Sequence, residues 1–224
     1  MSFEALPERL AQVRATIAQN AEHPVTIVAV TKGFGVEAID AALAAGLPDV
    51  GENRVQEALQ KQDARPDSAI RWHLIGHLQR NKARQVVGRF ALVQSVDSLD
   101  LAEELNRRAP AAQRVLLQVN VAGEEQKSGC APEDARGLAR QIAALANLRL
   151  EGLMTMAPFT DDEDVQRRTF RGLRRLRDTI KEEEGLWLPT LSMGMSDDYV
   201  TAVAEGATVI RLGTALFGPR PSAK

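Results

Sequence analysis

Eight short runs of apolar and β-branched residues recur along the chain, at Val25–Lys32, Val50–Asn53, Arg71–Gly76, Ala91–Asp97, Val115–Val121, Leu150–Met156, Leu188–Gly194 and Val209–Gly213. Runs such as Thr26-Ile27-Val28-Ala29-Val30 and Val115-Leu116-Leu117-Gln118-Val119 are apolar on both faces, as strands of a helix-covered parallel sheet must be. Between them Ala, Leu, Glu and Arg recur at helical spacing over Val36–Ala45, Arg54–Ala64, Leu99–Ala109, Pro132–Ala146, Asp162–Glu184 and Asp197–Glu205. Pro132 and Asp197 stand where helices should start. Ahead of the first strand, Met1–Asn20 sets Glu4, Glu8, Arg9 and Arg14 among apolar residues and predicts one extra amphipathic helix. Strand–helix alternation without a long linker predicts an α/β domain. Eight repeats favour a single (β/α)8 TIM barrel over 1–224, with an open doubly wound sheet as the rival.

Composition narrows the class. The 224 residues suit one domain with a large core, and 28 basic against 30 acidic side chains leave a net charge of −2. No global field favours nucleic acid or an anionic membrane, so any anion must be bound locally. Cys130 is the only cysteine, which excludes an intrachain disulfide or a thiolate metal cluster and suits the cytoplasm. The amino-terminal segment lacks the apolar core of a signal peptide, and no stretch approaches the roughly 18 apolar residues of a membrane span.

A barrel gathers its chemistry at the carboxyl ends of its strands. Lys32, Asn53, His73, Asp97, Asn120, Met154 to Met156, Ser192, Ser196 and Arg211 all fall at or near such ends. Lys32 follows the apolar run Val25–Thr31, where burial would disfavour the ammonium form and leave a nucleophile for carbonyls. The bland reading is a lysine that snorkels to water. The loops Ser192-Met193-Gly194-Met195-Ser196 and Arg211-Leu212-Gly213-Thr214 supply glycines, hydroxyls and helix starts suited to a phosphate, or else two ordinary turns.

Other signals are weaker. Gly33-Phe34-Gly35-Val36-Glu37-Ala38, with Glu52 beyond, mimics a dinucleotide fingerprint but does not account for eight repeats. His73 and His77 straddle a strand end and Gly76, so they predict no metal pair. The arginines at 167, 168, 171, 174, 175 and 177 lie among acids on one helix and read as a solvated face.

In order along nearly the whole chain, the sequence resembles the pyridoxal phosphate homeostasis protein family, whose fold is like the N-terminal barrel of alanine racemase. The matching pieces are Val28-Ala29-Val30-Thr31-Lys32, Gly51-Glu52-Asn53, Trp72-His73-Leu74-Ile75-Gly76-His77-Leu78-Gln79 with Asn81-Lys82, Gly152-Leu153-Met154, Leu191 to Ser196 with Asp198, and Arg211-Leu212-Gly213-Thr214 with Phe217-Gly218. The resemblance implies that Lys32 holds pyridoxal 5′-phosphate as a Schiff base, with Asn53 beside the ring. It implies that Ser196, Gly213 and Thr214 hold the phosphate and that Arg211 faces the ring nitrogen. Ser192, Met193 and Gly194 would line the phosphate side, and His73 and Met154 would be further contacts. Gly33-Phe34-Gly35 departs from the family's Lys-x-x-Pro arrangement, which leaves that loop's shape open.

The resemblance further implies vitamin B6 homeostasis, by storing the cofactor or delivering it to apo-enzymes, with effects on amino-acid and keto-acid pools. The competing readings are a pyridoxal phosphate-dependent racemase and, from another class, a dinucleotide-dependent oxidoreductase. Racemisation needs a second acid/base opposite the lysine. Related racemases take it from a tyrosine of an added domain. Here the chain ends at Lys224, and its only tyrosine, Tyr199, is expected on the outer ring. A monomer with little racemase activity is therefore expected.

Overall fold

The computed structural model of the chain describes residues 3–66, 69–124 and 126–220. Its strands are β1 (Thr26–Val30), β2 (Asp49–Glu52), β3 (Arg71–Leu74), β4 (Leu92–Val96), β5 (Gln113–Gln118), β6 (Leu148–Met154), β7 (Thr190–Ser192) and β8 (Val209–Leu212). All pair in parallel with their sequence neighbours, and β1 pairs with β8, closing the barrel. Each of the eight apolar runs contains most of one strand, five strands lying within their runs and β2, β5 and β6 starting one or two residues before theirs. The (β/α)8 expectation is therefore the observed architecture.

The helices are α1 (Leu6–Asn20), α2 (Val36–Ala44), α3 (Val55–Ala64), α4 (Ala83–Val86), α5 (Leu99–Arg108), α6 (Pro132–Ala143), α7 (Glu163–Glu184), α8 (Tyr199–Ala204) and α9 (Thr214–Phe217). α1 is the expected extra helix. Met1 and Ser2 lie outside the described residues, and Leu6, Leu10 and Val13 bury its inner face against α8 and α9. Pro132 opens α6, whereas α8 begins two residues after Asp197, at Tyr199. Helical periodicity missed α4, because it and the preceding 3-10 turn at Arg80–Lys82 are too short to show a repeat.

Side chains alternate across each strand. Ile27, Ala29, Val50, Trp72, Leu74, Val93, Leu191, Ile210 and Leu212 join the main core between the barrel and its helices. The opposite parity points inward. There Leu92, Leu116 and Met154 form a small apolar cluster of their own, and beside it runs a line of buried polar groups. A barrel interior is usually filled by bulky branched side chains, so those polar groups mark the positions where this one does something else.

Candidate active site at the barrel mouth

Two residues past β1, on the same inward parity as Val28 and Val30, sits Lys32. It is half-buried and has no hydrogen-bond or ion-pair partner among the described residues. Burial lowers its pKa, the charges of Arg220 and Arg211 lower it further, and Glu52 opposes them. Its amine is thus held toward the neutral, nucleophilic form.

The backbone on both sides of Lys32 is clamped from outside the barrel. Thr31 Oγ1 donates to Glu52 Oε1 at 2.5 Å, and the buried Lys61 Nζ donates to Thr31 O, Glu52 Oε1 and Glu57 Oε1 at 2.9, 2.7 and 2.8 Å. Glu57 Oε1 in turn accepts from Gly33 N at 2.8 Å. Burial pushes the Glu52 carboxyl up against the pull of Lys61, and its Oε2 has no hydrogen-bond partner. Glu52 is completely buried and engaged in this way, so it offers nothing to a ribose and the dinucleotide reading of the glycine loop fails. Gly33 has φ +76°, and a Cβ there would lie 3.3 Å from Arg220 Cδ. The loop shape that the sequence left open is therefore set by a left-handed glycine under the Arg220 stem, while Phe34 packs edge-on against Phe3 and tilted against Phe217.

Beside β1 on the barrel rim, the loops after β7 and β8 meet at Ser196. Its Oγ accepts from Gly213 N at 3.2 Å and Ala215 N at 3.1 Å, which leaves its own proton to donate. The backbone N–H groups of Ser196, Asp197 and Thr214 have no acceptor among the described residues. Buried Asp198 anchors the loop through Met195 N at 2.5 Å, and burial pushes its carboxyl up. Gly194, at φ +94°, lies so close to α8 that a Cβ would come within 2.6 Å of Ala202 Cβ.

Between these two sides lies Arg211, only 4% exposed. Its Nη1 donates to Ser192 Oγ at 2.6 Å and its Nη2 to Thr155 O at 2.9 Å. Among the described residues no carboxylate lies within hydrogen-bond reach, so three of its five N–H donors are left over there. Burial lowers its pKa to about 10, with Asp198 opposing, which leaves it cationic at neutral pH.

The remaining expected site residues are placed less directly. Asn53 follows β2, half-buried, with no side-chain partner among the described residues. Met154 belongs to the inner apolar cluster, whereas the Met193 side chain faces outward into the main core. His73 lies deep in the barrel with both ring nitrogens engaged, by Asp49 and by Gln94. Sequence reasoning missed Gln94, Asp49, Lys61, Glu57 and Arg220. A polar side chain at inward parity within the run Leu92-Val93-Gln94-Ser95-Val96 was the available signal for Gln94.

A nucleophilic amine, a buried guanidinium with spare donors and a cluster of free N–H groups can together receive a ligand bearing a carbonyl and an anionic group. The alanine racemase N-terminal domain model matches residues 2–221, and the chain belongs to that family. Its relatives narrow the membership. The pyridoxal phosphate homeostasis protein of Pseudomonas aeruginosa is 46% identical, with 97% of each chain covered, and that of Aquifex aeolicus is 41% identical, covering 95% of this chain and 97% of the other. Within the wider fold, this chain is therefore a member of the pyridoxal phosphate homeostasis protein family. PipY of Synechococcus elongatus, solved with pyridoxal phosphate bound, is 40% identical with a TM-score of 0.86, covering 95% of this chain and all of that one. An alanine racemase from Clostridium difficile shares the fold at 16% identity and a TM-score of 0.78, with 60% of its length covered.

Proposed function

We propose that this chain binds pyridoxal 5′-phosphate through Lys32 and serves cofactor homeostasis, storing it or delivering it to apo-enzymes. The observation that carries the reading is the unpartnered, desolvated Lys32 amine together with three unpartnered backbone N–H groups. Lys32 supplies the nitrogen of the Schiff base. Ser196, Thr214 and the Gly213 loop take the phosphate, Gly194 lets the loop after β7 close on α8, and Asn53 lies beside the ring. Arg211 donates to the ring nitrogen and, being unable to accept, keeps it unprotonated. Ser192 holds Arg211 in place. Met154 supports the ring from the inner cluster, Met193 contributes only backbone, and His73 acts at a distance.

When bound, the cofactor supplies an electrophilic carbon for amines and a ring that withdraws electrons, weakly here because Arg211 leaves the nitrogen without a proton. The chain's own residues hold it and do little else. Tyr199 packs against the main core and both nitrogens of His73 are taken, so neither offers a second acid/base. Racemase activity is therefore negligible. A single domain acting as a cytoplasmic monomer fits a sequence with one cysteine and a described surface whose large exposed apolar side chains are only Phe159, Trp187 and Val200. No described helix is long and apolar enough to cross a membrane.

Holo-protein incubated with L-alanine in deuterated water tests the division of roles. Slow or absent α-proton exchange, together with transfer of the cofactor to an added apo-enzyme, is expected. Racemisation at enzyme-like rates that disappears in Lys32→Ala would establish the racemase instead.

A further inference from the structure

The polar line inside the barrel is one unbroken chain. Arg211 Nη1 donates to Ser192 Oγ at 2.6 Å, Ser192 Oγ to Gln94 Oε1 at 2.6 Å, and Gln94 Nε2 meets His73 Nδ1 at 2.9 Å. His73 Nε2 then meets Asp49 Oδ1 at 2.9 Å, and Arg71 closes the far end with two bonds to Asp49, at 2.8 and 2.5 Å. Ser192, Gln94, His73, Asp49 and Arg211 are all buried. Arg71, in contrast, opens to solvent at the start of β3.

With a neutral imidazole at His73, the direction of every bond follows from the two ends. Neighbouring His73 and Arg71 hold the Asp49 carboxyl down at about 2 against its burial, so it is ionised and can only accept. The proton of a neutral imidazole must then sit on Nε2, and Nδ1 is left as an acceptor. Gln94 must therefore turn its NH₂ toward His73 and its carbonyl toward Ser192. The Ser192 hydroxyl spends its one proton on that carbonyl and faces Arg211 with a lone pair. Reversing any link sets a donor against a donor or a lone pair against a carboxylate in a water-poor interior, where such mismatches are most expensive.

We propose that Gln94 is a positioning residue for Arg211, its amide oriented from the far end of the barrel by Asp49 through His73. This rests on the reading of Arg211 as the ring-nitrogen donor. Arg211 has no carboxylate of its own within bonding distance, and the polarised chain supplies one four links away. Fixing the Ser192 lone pair fixes where the spare N–H groups of Arg211 point.

Two experiments separate this from the parent reading. In apo-protein labelled with ¹⁵N-histidine, long-range proton–nitrogen spectra should show His73 protonated on Nε2 with Nδ1 bare. A proton on Nδ1 alone would overturn the proposal whether or not the cofactor binds. In protein loaded with pyridoxal phosphate, Gln94→Leu should weaken retention about tenfold and shift the visible band, as expected for one charge-assisted hydrogen bond put out of line. An unchanged dissociation constant and band would overturn it. Should that variant fail to fold, Gln94→Glu keeps an acceptor for Ser192 but offers His73 no donor. The band should then persist while a proton appears on His73 Nδ1, and loss of the band with an unchanged imidazole signature would contradict the proposal. Failure of the parent reading looks different, since Arg211→Gln would then leave both the visible band and retention of the cofactor unchanged.

Discussion

Two cations, one on a helix outside the strands and one inside the barrel, are buried to nearly the same degree and treated in opposite ways. Lys61, 6% exposed, has all three of its ammonium protons matched by Thr31 O, Glu52 and Glu57. Arg211, 4% exposed, has two of five donors matched, by a hydroxyl and a backbone carbonyl, and no carboxylate. Burying a cation without a paired anion is costly. A fold that pairs one and leaves the other engages Lys61 fully in structure and leaves Arg211 with donors to spare. Lys32 stands between them, half-buried, with its flanking backbone fixed by the first cluster and its charge disfavoured by Arg211 and Arg220.

The largest effect is expected from removing the fully engaged cation. Lys61→Met leaves the buried Glu52 and the half-buried Glu57 without their partner, and denaturant unfolding should show a loss of about 3–5 kcal/mol, the usual result of removing one member of a buried ion pair. Arg211→Gln should behave inversely. Stability of the apo-protein should change by less than about 1 kcal/mol, while pyridoxal phosphate retention, followed by dialysis and absorbance, should fall by the roughly 1.5–3 kcal/mol of a charged hydrogen bond. If Lys61→Met costs nothing, or Arg211→Gln unfolds the apo-protein, the contrast is lost.

A smaller effect is expected at the phosphate side. Thr214→Ala should weaken retention of the phosphorylated cofactor by about 1.5–3 kcal/mol with little change in unfolding. Ser196→Ala should lower both, because its Oγ also joins the two loops. Equal affinity for pyridoxal without its phosphate would show that the anion site lies elsewhere.

The smallest concerns pH. Asp49 is depressed from 3.8 to about 2, so its contribution to stability is complete above the unfolded value and is lost as the pH falls through the folded one. About 2 kcal/mol should disappear between roughly pH 4 and pH 2, an order-of-magnitude figure from the shift. Asp49→Asn should remove that part of the acid limb in an unfolding series. An acid limb of unchanged steepness would mean that Asp49 is not the group responsible.

How much of this could be read beforehand follows the same division between backbone and side chain. Eight strands and seven of the nine helices announce themselves by continuous apolar runs or by helical repeats long enough to count, while four-residue helices such as α4 and α9 do not. The positions of Lys32, Ser196 and Arg211 at the barrel mouth were legible because strand ends and glycine loops are local features. Lys61 was not, since on paper Glu57 and Lys61 are an ordinary i, i+4 pair on a helix face. Only the closing of the barrel brings them against Glu52 and Thr31. The chain from Arg211 to Asp49 joins β8, β7, β4, β3 and β2, contacts that no spacing along a sequence can encode. Met193 and Ser192 are adjacent in sequence yet their side chains face opposite sides of the sheet at the end of β7, a division that the motif alone does not display.

On the proposed function, Lys32 and no other lysine carries the cofactor. Borohydride reduction of the holo-protein, followed by peptide mapping, tests it directly. The expected result is a single stoichiometric pyridoxyl adduct on Lys32, with the visible band abolished in Lys32→Ala. An adduct concentrated on Lys61 or Lys127, or a band that survives Lys32→Ala, would contradict the account.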